Sequence, residues 1–183
     1  MEIAPPPLPI HSTADKYEGQ SAIAWPAILA GGVVMLAIAL LLSALGAGFG
    51  WRLSSPWALA PSEGFSAEAG VWLVVVQVLA GGLGGYIAGR LRTKWRNVHG
   101  HEVHFRDTAH GLIAWALATV IGVMIAGEIG SGPAMTGASI DQLNQFSMFL
   151  AFGMLLGAFI AAVAAALGGL RRDEMHAKYW SER

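Results

Sequence analysis

Four stretches of the chain, at about residues 24–49, 69–89, 108–129 and 146–170, are almost wholly apolar and carry no charge in their central turns. A bilayer core about 30 Å thick is crossed by about 20 apolar helical residues. Lipid supplies no water to unpaired backbone amides, so each crossing segment must satisfy its own hydrogen bonds as a helix. The pattern predicts an all-α, polytopic membrane protein with four transmembrane helices arranged as two in–out–in hairpins. Only 13% of the 183 residues are charged and 55% are hydrophobic, against about 25% charge in a soluble domain. The division that follows is a Pro-rich leader (1–22), a four-helix domain (23–172) and a short tail (173–183), with no room for a soluble domain.

Orientation follows from the cations, because Lys and Arg beside a span are retained on the cytoplasmic side. Lys16, then Arg90, Arg92, Lys94, Arg96 and Arg106, then Arg171, Arg172, Lys178 and Arg183 fall on one side, which is ten of the eleven; only Arg52 falls on the other. Both termini are therefore expected in the cytoplasm. Trp25, Trp95 and Trp180 fall near the inner boundary and Trp51, Trp57 and Trp72 near the outer one, as indole rings at a headgroup layer do. Pro5, Pro6, Pro7 and Pro9 favour an extended leader. Pro56, Pro61 and Gly64 mark residues 54–67 as an irregular outer loop.

Small residues recur every fourth position: Gly81, Gly85 and Gly89 in the second span, with Gly82 and Gly84 beside them, and Gly153, Gly157, Ala161, Ala165 and Gly169 in the fourth. Ala39, Ser43 and Ala47 form a shorter row in the first span, and Ala158, Ala162 and Ala166 a second row in the fourth. Such rows let helix backbones approach closely, which supplies packing where lipid offers no hydrophobic drive between helices. Spans two and four should each have a close helical neighbour, either within the chain or in another copy or subunit. Gly89-Arg90-Leu91-Arg92 and Gly169-Leu170-Arg171-Arg172 echo one another at the ends of the two hairpins. Duplication about an axis along the membrane normal, or a shared stop signal, accounts for the echo.

Chemistry-bearing residues are sparse. There is no cysteine, so thiolate metal sites, disulfides and Cys nucleophiles are excluded. The net charge of −1 lacks the basic character that nucleic acid demands. The deepest polar groups, Ser43, Gln77 and Thr119, are neutral, whereas proton-coupled transport normally places ionisable groups near the midplane. Glu128 near the outer end of the third span is placed to meet Gln77 or water. His99, His101, His104 and His110 form a tentative metal or pH-sensing cluster, since imidazole both ligates metals and titrates near neutrality; surface histidines at a basic interface are the competing reading. Arg90, Arg92, Lys94, Arg96 and Arg106 are candidates for contact with anionic lipid headgroups or a partner. Asp107, ahead of Thr108 and Ala109, reads as the N-cap of the third span.

The run Asp107-x-x-His110-Gly111-x-x-x-Trp115-Ala116-x-x-Thr119, together with Gly84-Gly85-Tyr86-Ile87-Ala88-Gly89-Arg90 and Ala24-Trp25-Pro26-Ala27-Ile28-Leu29-Ala30-Gly31, resembles the proteobacterial PhnA-like small multi-span membrane proteins. The resemblance covers spans one to three and, by character, span four. It implies the bacterial inner membrane and brings no catalytic residues or cofactor.

The leading expectation is a non-catalytic accessory or scaffold subunit, bound to membrane lipids and to its own copies or other membrane subunits. One alternative is a small homo-oligomeric channel or carrier for a neutral or lipid-like solute. A pH or metal sensor using the histidines is the other.

Overall fold

The computed structural model describes residues 23–51, 55–58, 60–92, 100–129 and 138–181, and for 100–101, 127–129 and 176–181 the backbone alone. Lys94, Arg96 and His99 lie outside these residues, as do the leader and the side chains of His101 and Glu128.

Four helices account for the described chain: α1 (Trp25–Gly48), α2 (Ala67–Leu91), α3 (Gly100–Ile129) and α4 (Ile140–Ser181). Each is long and apolar enough to cross a bilayer, the architecture of a multi-pass membrane protein. Pro26 enters α1 in its first turn, where a missing N–H costs nothing. At the other end Gly50, at φ 80°, turns the chain sharply. The Trp51 amide donates to the Gly46 carbonyl at 3.3 Å and the Gly50 amide to Ala47 at 3.0 Å, the paired bonds of a Schellman cap. Ser66 caps α2 by accepting from the Ala69 amide at 3.4 Å.

Helices α3 and α4 outrun their apolar windows. α3 begins at Gly100 rather than near residue 108, so Asp107 is not an N-cap but sits two turns inside the helix. α4 has 42 residues, about 63 Å at the helical rise of about 1.5 Å, and extends past a bilayer core. No Gly or Pro follows Arg171 to end it, so the helix continues into polar sequence.

α2 touches all three other helices, α3 touches all three as well, and α1 and α4 do not meet among the described residues. The order around the bundle is therefore α1, α2, α4, α3, with α2 and α3 on the short diagonal. Residues 81, 85 and 89 of α2 meet 157, 161 and 165 of α4 in step, so these two helices run parallel. Gly31 against Gly84, and Trp72 against Leu42, make α1 antiparallel to α2. Gly111 against Ala161, and Asp107 against Gly169, make α3 antiparallel to α4. α1 with α2 and α3 with α4 thus form two antiparallel pairs, but no two-fold axis along the helices relates the pairs. Such an axis would set α1 across from α3, and these are neighbours.

Candidate functional site

The α2–α4 seam is the tightest in the molecule. A Cβ built on Gly85 or Gly89 would run into the carbonyls of Ala161 and Ala165, and one on Gly81 would lie 2.7 Å from the Gly157 oxygen. Gly153 and Gly157 make room in turn for the Gln77 side chain, whose Cγ and Oε1 lie 3.5 and 3.3 Å from their would-be Cβ positions. The rows at Gly81, Gly85, Gly89 and at Gly157, Ala161, Ala165 are therefore occupied by one another within a single chain. Gly84 belongs to a different seam, against Gly31 and Met35 of α1. In α1 the contact row runs Ala27, Gly31, Met35, Ala39, all buried, while Ala47 of the expected row is exposed.

Toward the end that carries the α1–α2 loop, side chains from that loop fill the bundle. Trp57 packs with Ala39, Val76 and Ala80 and lies over Gly122 of α3, where any Cβ would strike its ring. It is buried inside the bundle rather than placed at a headgroup layer. The Gln77 amide donates to the Pro56 carbonyl at 3.2 Å and holds the loop in. A second aromatic of the loop, Phe65, meets Phe146 of α4 edge-on with centroids 5.3 Å apart. Phe49, Trp51 and Trp72 cluster nearby, and the Trp72 indole N–H donates to the Leu42 carbonyl at 2.9 Å.

At the opposite, basic end lies a buried ion network. The Arg92 guanidinium, 0% exposed, pairs with both carboxylate oxygens of Asp107, 2% exposed, through Nε to Oδ1 and through Nη2 to Oδ2 at 2.8 Å. Nη2 also reaches Asp173 Oδ2 at 3.1 Å. One planar cation thereby joins the end of α2 to α3 and α4. Its two-pronged geometry on a carboxylate is one that lysine does not reproduce. Gly169 completes the arrangement, because a Cβ there would collide with the Asp107 carboxylate. Arg92, a candidate for contact with a lipid headgroup or a partner, is instead enclosed, since Asp107 and Asp173 supply the countercharge that water or phosphate would otherwise give.

His110 is enclosed beside this network, 1% exposed. Its Nε2 accepts from the Ala24 amide at 2.8 Å, and its Nδ1 lies 2.6 Å from the Arg106 carbonyl. A ring that accepts at Nε2 carries its proton at Nδ1 and donates it to that carbonyl. Ala24 is the N-cap of α1 and has no side-chain cap of its own, so an imidazole from α3 satisfies one of the orphan amides of a helix start. The sensor expectation for His110 meets a ring held between two backbone groups. His104 is exposed on α3. No group of three or more potential metal ligands comes together among the described residues. Arg106 pairs with Glu102 one turn earlier, at 2.7 Å.

Arg90 takes a third position. It lines a groove of about 640 Å³ along α2 and α4, with Gly82, Ala164 and Leu167 deeper in and Arg171 and Glu174 at the basic end. The ion network, the histidine cap and the inserted tryptophan escaped sequence reasoning. Each needs a partner from another element, and the one local signal was Asp107, which with Glu102 is acidic in a connection otherwise rich in arginine.

A scan against protein-family models, a search of curated proteins and a search of solved structures return no match to this chain.

Proposed function

We propose that the chain is a non-catalytic accessory or scaffold subunit of a bacterial inner-membrane complex, with both termini in the cytoplasm and the basic end of the bundle on that side. The observation that carries this reading is how the buried polar side chains are used. Gln77 ties a loop to α2, His110 ties α1 to α3, and Arg92 with Asp107 and Asp173 ties α2 to α3 and α4. These are fasteners between elements, and they support a rigid body whose work is to be held and to hold.

The outer surfaces accord with that role. α1 presents Val33, Leu40 and Leu41, and α4 presents Met148, Leu155 and Phe159, on flanks separated by the α2–α3 diagonal. Lipid covers such faces alone, or shares them with neighbouring spans. With the α2 glycine row set against α4, that row is not free to line a path for a solute, as a channel built on it would need.

Gentle extraction from the native membrane, followed by mass spectrometry of the intact complex, tests the proposal. Foreign subunits in fixed stoichiometry are expected. A lone monomer would remove the subunit reading, and a closed ring of identical copies would put the channel in its place.

A further inference from the structure

The groove along α2 and α4 joins two chemistries in one place. Gly82, Ala164 and Leu167 give it an apolar bed, and Arg90 and Arg171 with Glu174 stand where the helices turn polar. Small residues leave the bed open: a Cβ on Gly82 would meet only Ile160 Cγ2, at 3.4 Å. The charges at the mouth sum to one positive.

Arg90 is also left short of partners. Its Nη2 has a 3.8 Å contact with the Met175 sulfur, a weak acceptor, and its Nη1 is buried without a hydrogen-bond partner among the described residues. A buried guanidinium donor in that state costs free energy until an acceptor arrives. Nearby Arg172 likewise has a buried Nη1 without a partner among the described residues. By contrast, Arg92, two residues on, has both Nε and Nη2 set on carboxylates. The difference separates a cation used for packing from a cation waiting for an anion.

We propose that this groove binds one anionic phospholipid, an acyl chain lying over Gly82, Ala164 and Leu167 and the phosphate between Arg90 and Arg171. An apolar bed ending in arginines matches the order of chemistry along a lipid, tail and then phosphodiester. A free phosphate would find the arginines but leave the bed unfilled. The inference needs only that the helices lie in a bilayer, and it stands whether or not the chain is a subunit of a complex.

The full-length protein in mild detergent, titrated with dioleoyl phosphatidylglycerol or dioleoyl phosphatidylcholine and read by native mass spectrometry, tests it. One retained phosphatidylglycerol per chain is expected, held more tightly than phosphatidylcholine. Arg90→Gln and Arg171→Gln should each weaken retention about fivefold, the scale of one cation facing an anionic lipid, and the double variant should erase the preference. Arg106→Gln, an equal loss of charge outside the groove, should change nothing, whereas Glu174→Gln should tighten binding. Gly82→Leu should expel the lipid with every charge in place, and its unchanged melting temperature would show that the bundle still folds. Equal retention of both lipids by the natural chain, indifference to Gly82→Leu, or displacement by millimolar inorganic phosphate would each overturn the proposal.

Discussion

Arg92, set on carboxylates, and Arg90, with a buried Nη1 lacking a partner among the described residues, show how differently one residue type behaves depending on what the fold brings to it. A buried ion pair gains little over an apolar pair of the same shape, yet removing one member leaves a charge stranded. Asp107→Ala should therefore destabilise the bundle by about 3–5 kcal/mol, measured as unfolding in detergent. The paired change Arg92→Met with Asp107→Leu should recover most of that loss. A double variant no more stable than Asp107→Ala would mean that the network does more than neutralise itself. His110 belongs to the same scale. His110→Phe keeps the ring volume but strips the Ala24 amide of its acceptor, and a loss of about 1–3 kcal/mol is expected for an unsatisfied buried donor. Sequence reading found the imidazole and the carboxylate but not their tasks. Arg92 and Asp107 are 15 positions apart, and His110 and Ala24 are 86 apart, so no local period links either pair.

Helices are where the sequence was most legible, and the reason is geometric. Residues four apart fall on one face of a helix, so the rows at Gly81, Gly85, Gly89 and Gly157, Ala161, Ala165 are visible as lines before any partner is known. The partner and its direction are not visible, because a smooth face is the same face to a parallel or an antiparallel neighbour. The seam itself makes a sharp comparison. Gly85→Val drives a side chain into the Ala161 backbone, and overpacking of that kind costs about 1–3 kcal/mol. Gly82→Val, three positions earlier, opens into the groove and should be close to neutral in the same unfolding measurement. Trp57 marks the limit of the approach from the other side. A tryptophan just past a helix end reads as an interfacial anchor, and only the tertiary structure places it over Gly122 between three helices. Trp57→Ala should cost about 3–5 kcal/mol as a core cavity, against little for a ring lying in headgroups.

Across the whole molecule, the bundle has two unlike ends, and the difference bears on how it sits in the membrane. One end is closed by aromatic side chains, with Trp57 and Phe65 reaching in from the loop and Phe49, Trp51 and Trp72 around them. The other is closed by ions, with Arg92 and Asp107 inside, Asp173 half-buried over them, and Arg90, Arg106 and Arg171 toward the outside. Burying Arg92 with Asp107 inside the protein does not weaken the topology signal, because retention of cations acts on the chain as it inserts, before the helices pack. The basic end should therefore be cytoplasmic. A chain without cysteine allows the orientation to be read one residue at a time. Glu63 in the α1–α2 loop and Glu102 near the start of α3 are both exposed, so Glu63→Cys and Glu102→Cys leave the core untouched. A membrane-impermeant maleimide added to intact spheroplasts should label the Glu63→Cys protein and leave the Glu102→Cys protein unlabelled until the membrane is opened. The reverse pattern would invert the molecule and move the lipid groove to the outer leaflet. Labelling of both from outside would mean that the cations, ten to one by side, do not orient this chain.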